Sequence, residues 1–148
     1  MAAVESNHRA GHVGRRLPDV GTSVKDLVAW LTTNPDFAVV GPPSPAELIP
    51  GYPGTRLTIG VSETADFAWD DCPSNPRCAA FFTDPAHWGS NFWAIEGDNV
   101  QDLYLADVDS GGEEHVFFVL LYAVDAASLD AFRPRAEELV RTVLLPEA

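Results

Sequence analysis

Apolar positions are densest between His115 and Val124, HVFFVLLYAV, where nine of ten residues are apolar. A short unbroken run of this kind predicts a strand covered on both faces. Each fully buried Val, Leu or Phe contributes about 1.5–3 kcal/mol, so this strand can anchor a core. Gln101–Val108 reads as a strand leading into the turn Asp109-Ser110-Gly111-Gly112, and the two strands form an antiparallel hairpin. Near the start, Val24, Leu27, Val28 and Leu31 fall at i, i+3, i+4 and i+7, one face of a helix over Ser23–Thr33. Ser23 and Asp26 suit its N-terminus, and Asn34-Pro35 ends it. Thr55–Val61 alternates, with Leu57, Ile59 and Val61 opposite Arg56, Thr58 and Gly60, as a half-buried strand does. Phe37–Val40, Ala65–Asp70, Ala79–Thr83 and Phe92–Glu96 are further strand candidates. Between them, GPPSPAELIPGYPG at 41–54 predicts a stiff loop, since each proline fixes φ, tied down by Leu48, Ile49 and Tyr52. The last apolar face carries Leu129, Phe132, Ala136, Leu139, Val140 and Val143. Pro134 lies within it and predicts a short turn at Ala127–Phe132, with the helix starting near the proline.

The order is helix, about six or seven strands, helix. Strands grouped together predict an α+β fold, an antiparallel sheet flanked by an N-terminal and a C-terminal helix. Residues 1–16 are expected to be a poorly ordered lead-in, and 17–148 one domain.

Charge adds to this picture. The net charge is −13. From Glu63 to Glu114 twelve carboxylates face a single Arg77. Such a surface disfavours nucleic acid and anionic membrane. It reads as a solvating surface, or more sharply as a face for a basic partner or a cation. No stretch reaches the roughly 18 consecutive apolar residues of a transmembrane helix, so membrane insertion is not expected. The first twenty residues lack the apolar core of a secretory signal. A chain starting at its native Met is therefore expected in the cytoplasm, and a domain cut from a longer envelope protein outside it.

Motifs for chemistry are few. There is no GxSxG elbow, Walker loop or HExxH. His8 and His12 have Gly11 and Gly14 around them, which argues against a helical metal pair, and no metal or cofactor is expected. A calcium loop starting at Asp107 would need Glu at its twelfth position, which is Phe118. Cys72 and Cys78 flank PSNPR, five residues where a redox CxxC has two. A bridge between them would contribute about 2.4 kcal/mol; reduced thiols and metal ligation stay open beside it. Trp69, Phe82, Trp88 and Trp93 cluster with Asp70, Asp71 and His87, the mixture of aromatic wall and few polar groups that a small-molecule pocket needs. The same aromatics would serve equally to cover a sheet.

DLVAWLTTNPDF, the CP…C loop, LYLADVDSGG and FRPRAEELVRTV follow one another in this order. Together they resemble small bacterial domains with a PsbP-like fold, found in envelope and regulatory proteins. The resemblance covers about residues 17–145. It implies an antiparallel sheet with a C-terminal helix packed on it, and binding or accessory roles in place of catalysis. The expectation is a non-enzymatic binding or accessory domain that contacts a protein partner or a small apolar or cationic ligand through Trp69–Trp93. The alternative is a small pocket enzyme, a cyclase or isomerase acting on an apolar metabolite, with Asp70, Asp71 or His87 as acid and base. The pattern leaves oligomeric state open.

Overall fold

The computed structural model describes residues 2–5, 15–16, 20–21, 23–65, 77–83, 92–110 and 112–142. In chain order they form β1 (Ala2–Glu5), β2 (Arg15–Arg16), α1 (Val24–Thr33), β3 (Phe37–Ile49) and β4 (Tyr52–Val61). Then come β5 (Cys78–Thr83), β6 (Phe92–Glu96), β7 (Val100–Ser110), β8 (Glu113–Ala123) and α2 (Ala126–Val140). The α+β class and the antiparallel pairing agree with the pattern. The strand arrangement does not: among the described residues, one sheet of six or seven strands is replaced by two sheets of four, β3-β4-β7-β8 and β2-β1-β5-β6.

The main sheet is covered on both faces because its strands alternate two apolar sets. Leu57, Ile59, Leu103, Leu105 and Val116 pack with Leu27 and Leu31 of α1 and with Ala79 and Ile95 of the second sheet. On the opposite face Val100, Tyr104, Leu121 and Ala123 pack with Leu129 and Ala136 of α2. Val119 joins the α2 side and Leu120 the α1 side, both half-buried, as adjacent residues of a doubly covered strand must. The face of α1 follows the expected spacing, whereas of the expected α2 face Leu129 and Ala136 are buried and Phe132 and Leu139 are exposed. In α1, Val24, Leu27 and Leu31 are buried, and the Ser23 side chain accepts the Asp26 amide at the N-cap.

Three elements depart from the pattern. The apolar run of β8, which the density of apolar positions suggests as the strand the core is built around, lies at the edge of its sheet. The 41–54 stretch is not a loop: β3 continues to Ile49, turns at Pro50-Gly51, and returns as β4. β3 is the other edge strand, where a missing N–H can face away from the ladder. Its register with β4 shifts three times, between Val39 and Gly41, Gly41 and Ser44, and Ala46 and Ile49. Leu48 and Ile49 are buried, as expected. Finally, α2 runs unbroken through Pro134. The proline is exposed. Its cost of about 3 kcal/mol is offset by the buried Leu129 and Ala136 and by an ion pair from Arg133 on the inner face.

Among the described residues, no helix is long and apolar enough to cross a membrane.

Candidate functional site

Asp107 lines two clefts of the described surface. The odd positions of β7 point to the α1 side, and Asp107 follows Leu103 and Leu105 past the end of the apolar core. There its Oδ1 accepts the backbone N–H of Val24 at 2.8 Å, fixing the first turn of α1 to the sheet. That amide is one of the donors a helix start leaves without an intrahelical partner, so the bond sets the helix position.

Two clefts meet at Asp107. One, of about 530 Å³, is mostly apolar: Val24, Val28 and Ala29 of α1 face Pro43 of β3 and Pro53 of β4, with Lys25 on the helix side. The other, of about 660 Å³, is acidic: Asp26, Asp107, Asp109 and Glu114 surround it together with Ser23 and His115. Both volumes fall within the roughly 300–1,000 Å³ of small-ligand sites. Three of the four carboxylates also shape the walls. Asp26 accepts the Ser23 hydroxyl at 2.7 Å, and Asp109 accepts the Gly112 amide at 2.9 Å in the β7–β8 turn. Gly112 has φ of 83°, which explains the glycine expected at this turn. Each of these carboxylates keeps a second oxygen or further lone pairs for a ligand.

The opposite face carries ionisable groups of a different kind. Asp102 is fully buried between β7 and α2. It accepts the Thr58 hydroxyl and the Arg133 Nε, the latter at 2.5 Å, while Arg133 also reaches Asp130 at 2.6 Å. Asp102, first through its hydrogen bond, holds the Arg133 guanidinium above its ordinary value, against desolvation. Tyr104 donates to Glu137 at 2.5 Å. Burial, and then the Glu137 carboxylate, push the Tyr104 phenol well above its usual range, so it keeps its proton. These groups join α2 to the sheet.

The residues expected from the sequence are placed only in part. Phe82 and Trp93 are register partners on β5 and β6. The register shifts between Ala80 and Phe82, leaving Phe81 as the extra residue. Trp69, Asp70, Asp71, His87 and Trp88 lie outside the described residues, as does Cys72. Cys78 opens β5 and is fully buried. Among the described residues, no group of three or more His, Cys, Asp and Glu is placed to hold a metal ion.

The sequence reading missed both the cleft and the Asp102 network. A signal existed for the network. Val100, Asp102, Tyr104 and Ala106 share one strand face, and Arg133 lies in the inward stripe of α2 with Leu129 and Ala136. One acid and one base, each interrupting an apolar stripe, are natural partners. No comparable signal marks the cleft, because its walls come from α1, β3, β4, β7 and β8 and meet only in the fold.

Comparison of the chain with protein-family models, with curated proteins and with solved structures finds no match.

Proposed function

We propose that the chain is a non-enzymatic binding or accessory domain, the role that the PsbP-like resemblance implies, and that the paired clefts at Asp107 take its ligand. The fitting ligand is a small organic cation with an apolar body. One observation carries this reading: an apolar wall built by Val28, Ala29, Pro43 and Pro53 adjoins a wall of carboxylates, and Asp107 belongs to both. An apolar body displaces water on the first side, while a cationic head is attracted by Asp109 and Glu114 on the second. A net charge of −13 raises the local concentration of such cations.

Calorimetric titration with benzyltrimethylammonium tests it, with the uncharged isostere as control. Binding is expected for the cation, weakening as salt is raised. It should be lost in the double variant Asp109→Asn, Glu114→Gln with the melting temperature retained. Equal binding of the uncharged isostere, or binding unaffected by the double variant, would remove the cleft from consideration.

A further inference from the structure

Strand register joins the two clefts into one groove. The β4–β7 pairing runs from Gly60↔Val100 to Gly54↔Ala106, so Pro53 stands beside Asp107 just past its end. On the other side of β7, Asp109 pairs with Glu114 of β8. The groove therefore crosses β3, β4, β7 and β8 in their order in the sheet, from Pro43 and Pro53 to Asp109 and Glu114. Asp107 lines both clefts and is itself exposed, so the passage between them is open to solvent.

Sheet geometry gives its length. From β4 to β8 there are two strand spacings, about 10 Å. Asp109 and Glu114 lie two residues beyond Asp107 along the strands, about 7 Å. The proline wall and the acidic end are thus about 12 Å apart. The two volumes, about 530 and 660 Å³, together pass the roughly 1,000 Å³ upper end of small-ligand sites. A compact cation fills only part of such a groove.

Charge selects the occupant. Lys25 lines the apolar side and Asp26 the acidic side. Neither the Lys25 nor the Glu114 side chain forms a hydrogen bond or ion pair among the described residues. A positive group on the apolar side meets Lys25, whereas one at the β7–β8 end meets Asp109 and Glu114. The fitting occupant is apolar at one end and positive at the other. Nucleic acid and anionic lipid are repelled by a chain of net charge −13, and a polyamine has no apolar body. An extended peptide matches the length, since its residues i and i+4 point to one side and lie about 13 Å apart.

We propose that the groove docks an extended segment of a partner protein, with an apolar side chain between α1 and the Pro43–Pro53 wall and an arginine or lysine four residues away between Asp109 and Glu114. This rests on the reading of the clefts as a site for an apolar cation and names the partner that supplies it. Pro42, Pro43 and Pro45 remove ladder donors along β3, so the segment crosses the strands, held by its side chains, and does not extend the sheet.

Calorimetric titration of the full chain with two capped peptides tests it, one with phenylalanine and arginine separated by three serines, the other by two. The first should bind about tenfold more tightly, because the shorter spacing turns the two side chains to opposite sides. Glu114→Gln, on the surface, should weaken the first peptide about two- to fivefold at a retained melting temperature. It should leave unchanged the same peptide with glutamine in place of arginine. Benzyltrimethylammonium, titrated beside them, separates the proposal from the reading beneath it. If that cation binds while the peptides bind equally or not at all, the peptide partner is overturned and the cation site stands. If none of the three binds, both fall. Spermine binding as tightly as the first peptide, or a first peptide indifferent to Glu114→Gln, would also overturn the proposal.

Discussion

Replacing Arg133 by Met removes one charge from a pair whose other member cannot reach water. Asp102 is fully buried, and with Arg133 gone the Thr58 hydroxyl is the one side-chain donor left to it among the described residues. Methionine fills most of the space of the arginine stem, so the packing loss is small and the unpaired carboxylate dominates. Breaking a buried pair from one side costs about 3–5 kcal/mol. Arg133 is itself 20% exposed, so water reaches its side of the pair and the lower end, about 3 kcal/mol, is the expected loss. At roughly 2–4 °C per kcal/mol for a chain of this size, the melting temperature should fall by about 6–12 °C. Urea melts followed by circular dichroism measure the loss. The double variant Asp102→Leu, Arg133→Met supplies the decisive comparison. It buries no charge, so it should recover most of the stability, since an apolar replacement of a buried pair is often neutral or better. If Arg133→Met lies within about 0.5 kcal/mol of wild type, Asp102 is hydrated and the latch between α2 and the sheet does not exist. If the double variant is less stable than Arg133→Met, the pair contributes net attraction and the desolvation argument is wrong.

Two further substitutions probe the frame. A Cβ at Gly54 would overlap the carbonyl of Leu105 on the neighbouring strand, a backbone atom that cannot move aside; Gly54→Ala should cost about 1–3 kcal/mol in the same urea melts and enlarge the β4–β7 spacing, and a neutral result would mean that the strands are further apart. Asp125 caps α2, and its carboxylate is held below the ordinary range chiefly by the Ser128 backbone amide, which it accepts at 2.7 Å. A lowered folded value means stability that is present above the unfolded pKa and lost as pH falls through the folded one. Asp125→Ala should therefore lower the melting temperature at neutral pH, with the deficit closing in acid; a deficit independent of pH would show that the charge plays no part.

How far these features were legible depends on what side-chain patterns can report. The faces of α1, β4, β7 and β8 were legible because burial repeats with the period of each element. The edges were not. An apolar residue on each face of β8 says that both faces are covered, but the pattern of side chains carries no information about neighbours in the plane of the sheet. Hence a strand that reads as central ends the sheet. Pro42, Pro43 and Pro45 signalled a stiff loop because each proline fixes φ, yet that φ suits an extended edge strand, where the missing ladder donor is not needed. Pro134 signalled a break for the same local reason, and tertiary contacts along the inner face of α2 override it. The candidate site was legible least of all. Asp26 read as a helix cap and Asp107, Asp109 and Glu114 as members of a long acidic stretch, and what unites them is the seating of α1 on the end of β7. The aromatic–acidic segment was conspicuous by composition, and of it the structure places Phe82 beside Trp93 in register.

The most direct test of the binding reading maps the contact on the folded chain. In amide correlation spectra of the ¹⁵N-labelled protein, titration with benzyltrimethylammonium should shift Ser23–Ala29 together with Asp107, Asp109 and Glu114, and leave β5 and β6 unmoved. Shifts confined to β5, β6 and the residues between 66 and 91, with Asp107 and its neighbours unchanged, would contradict the cleft and return the function to the tryptophan segment.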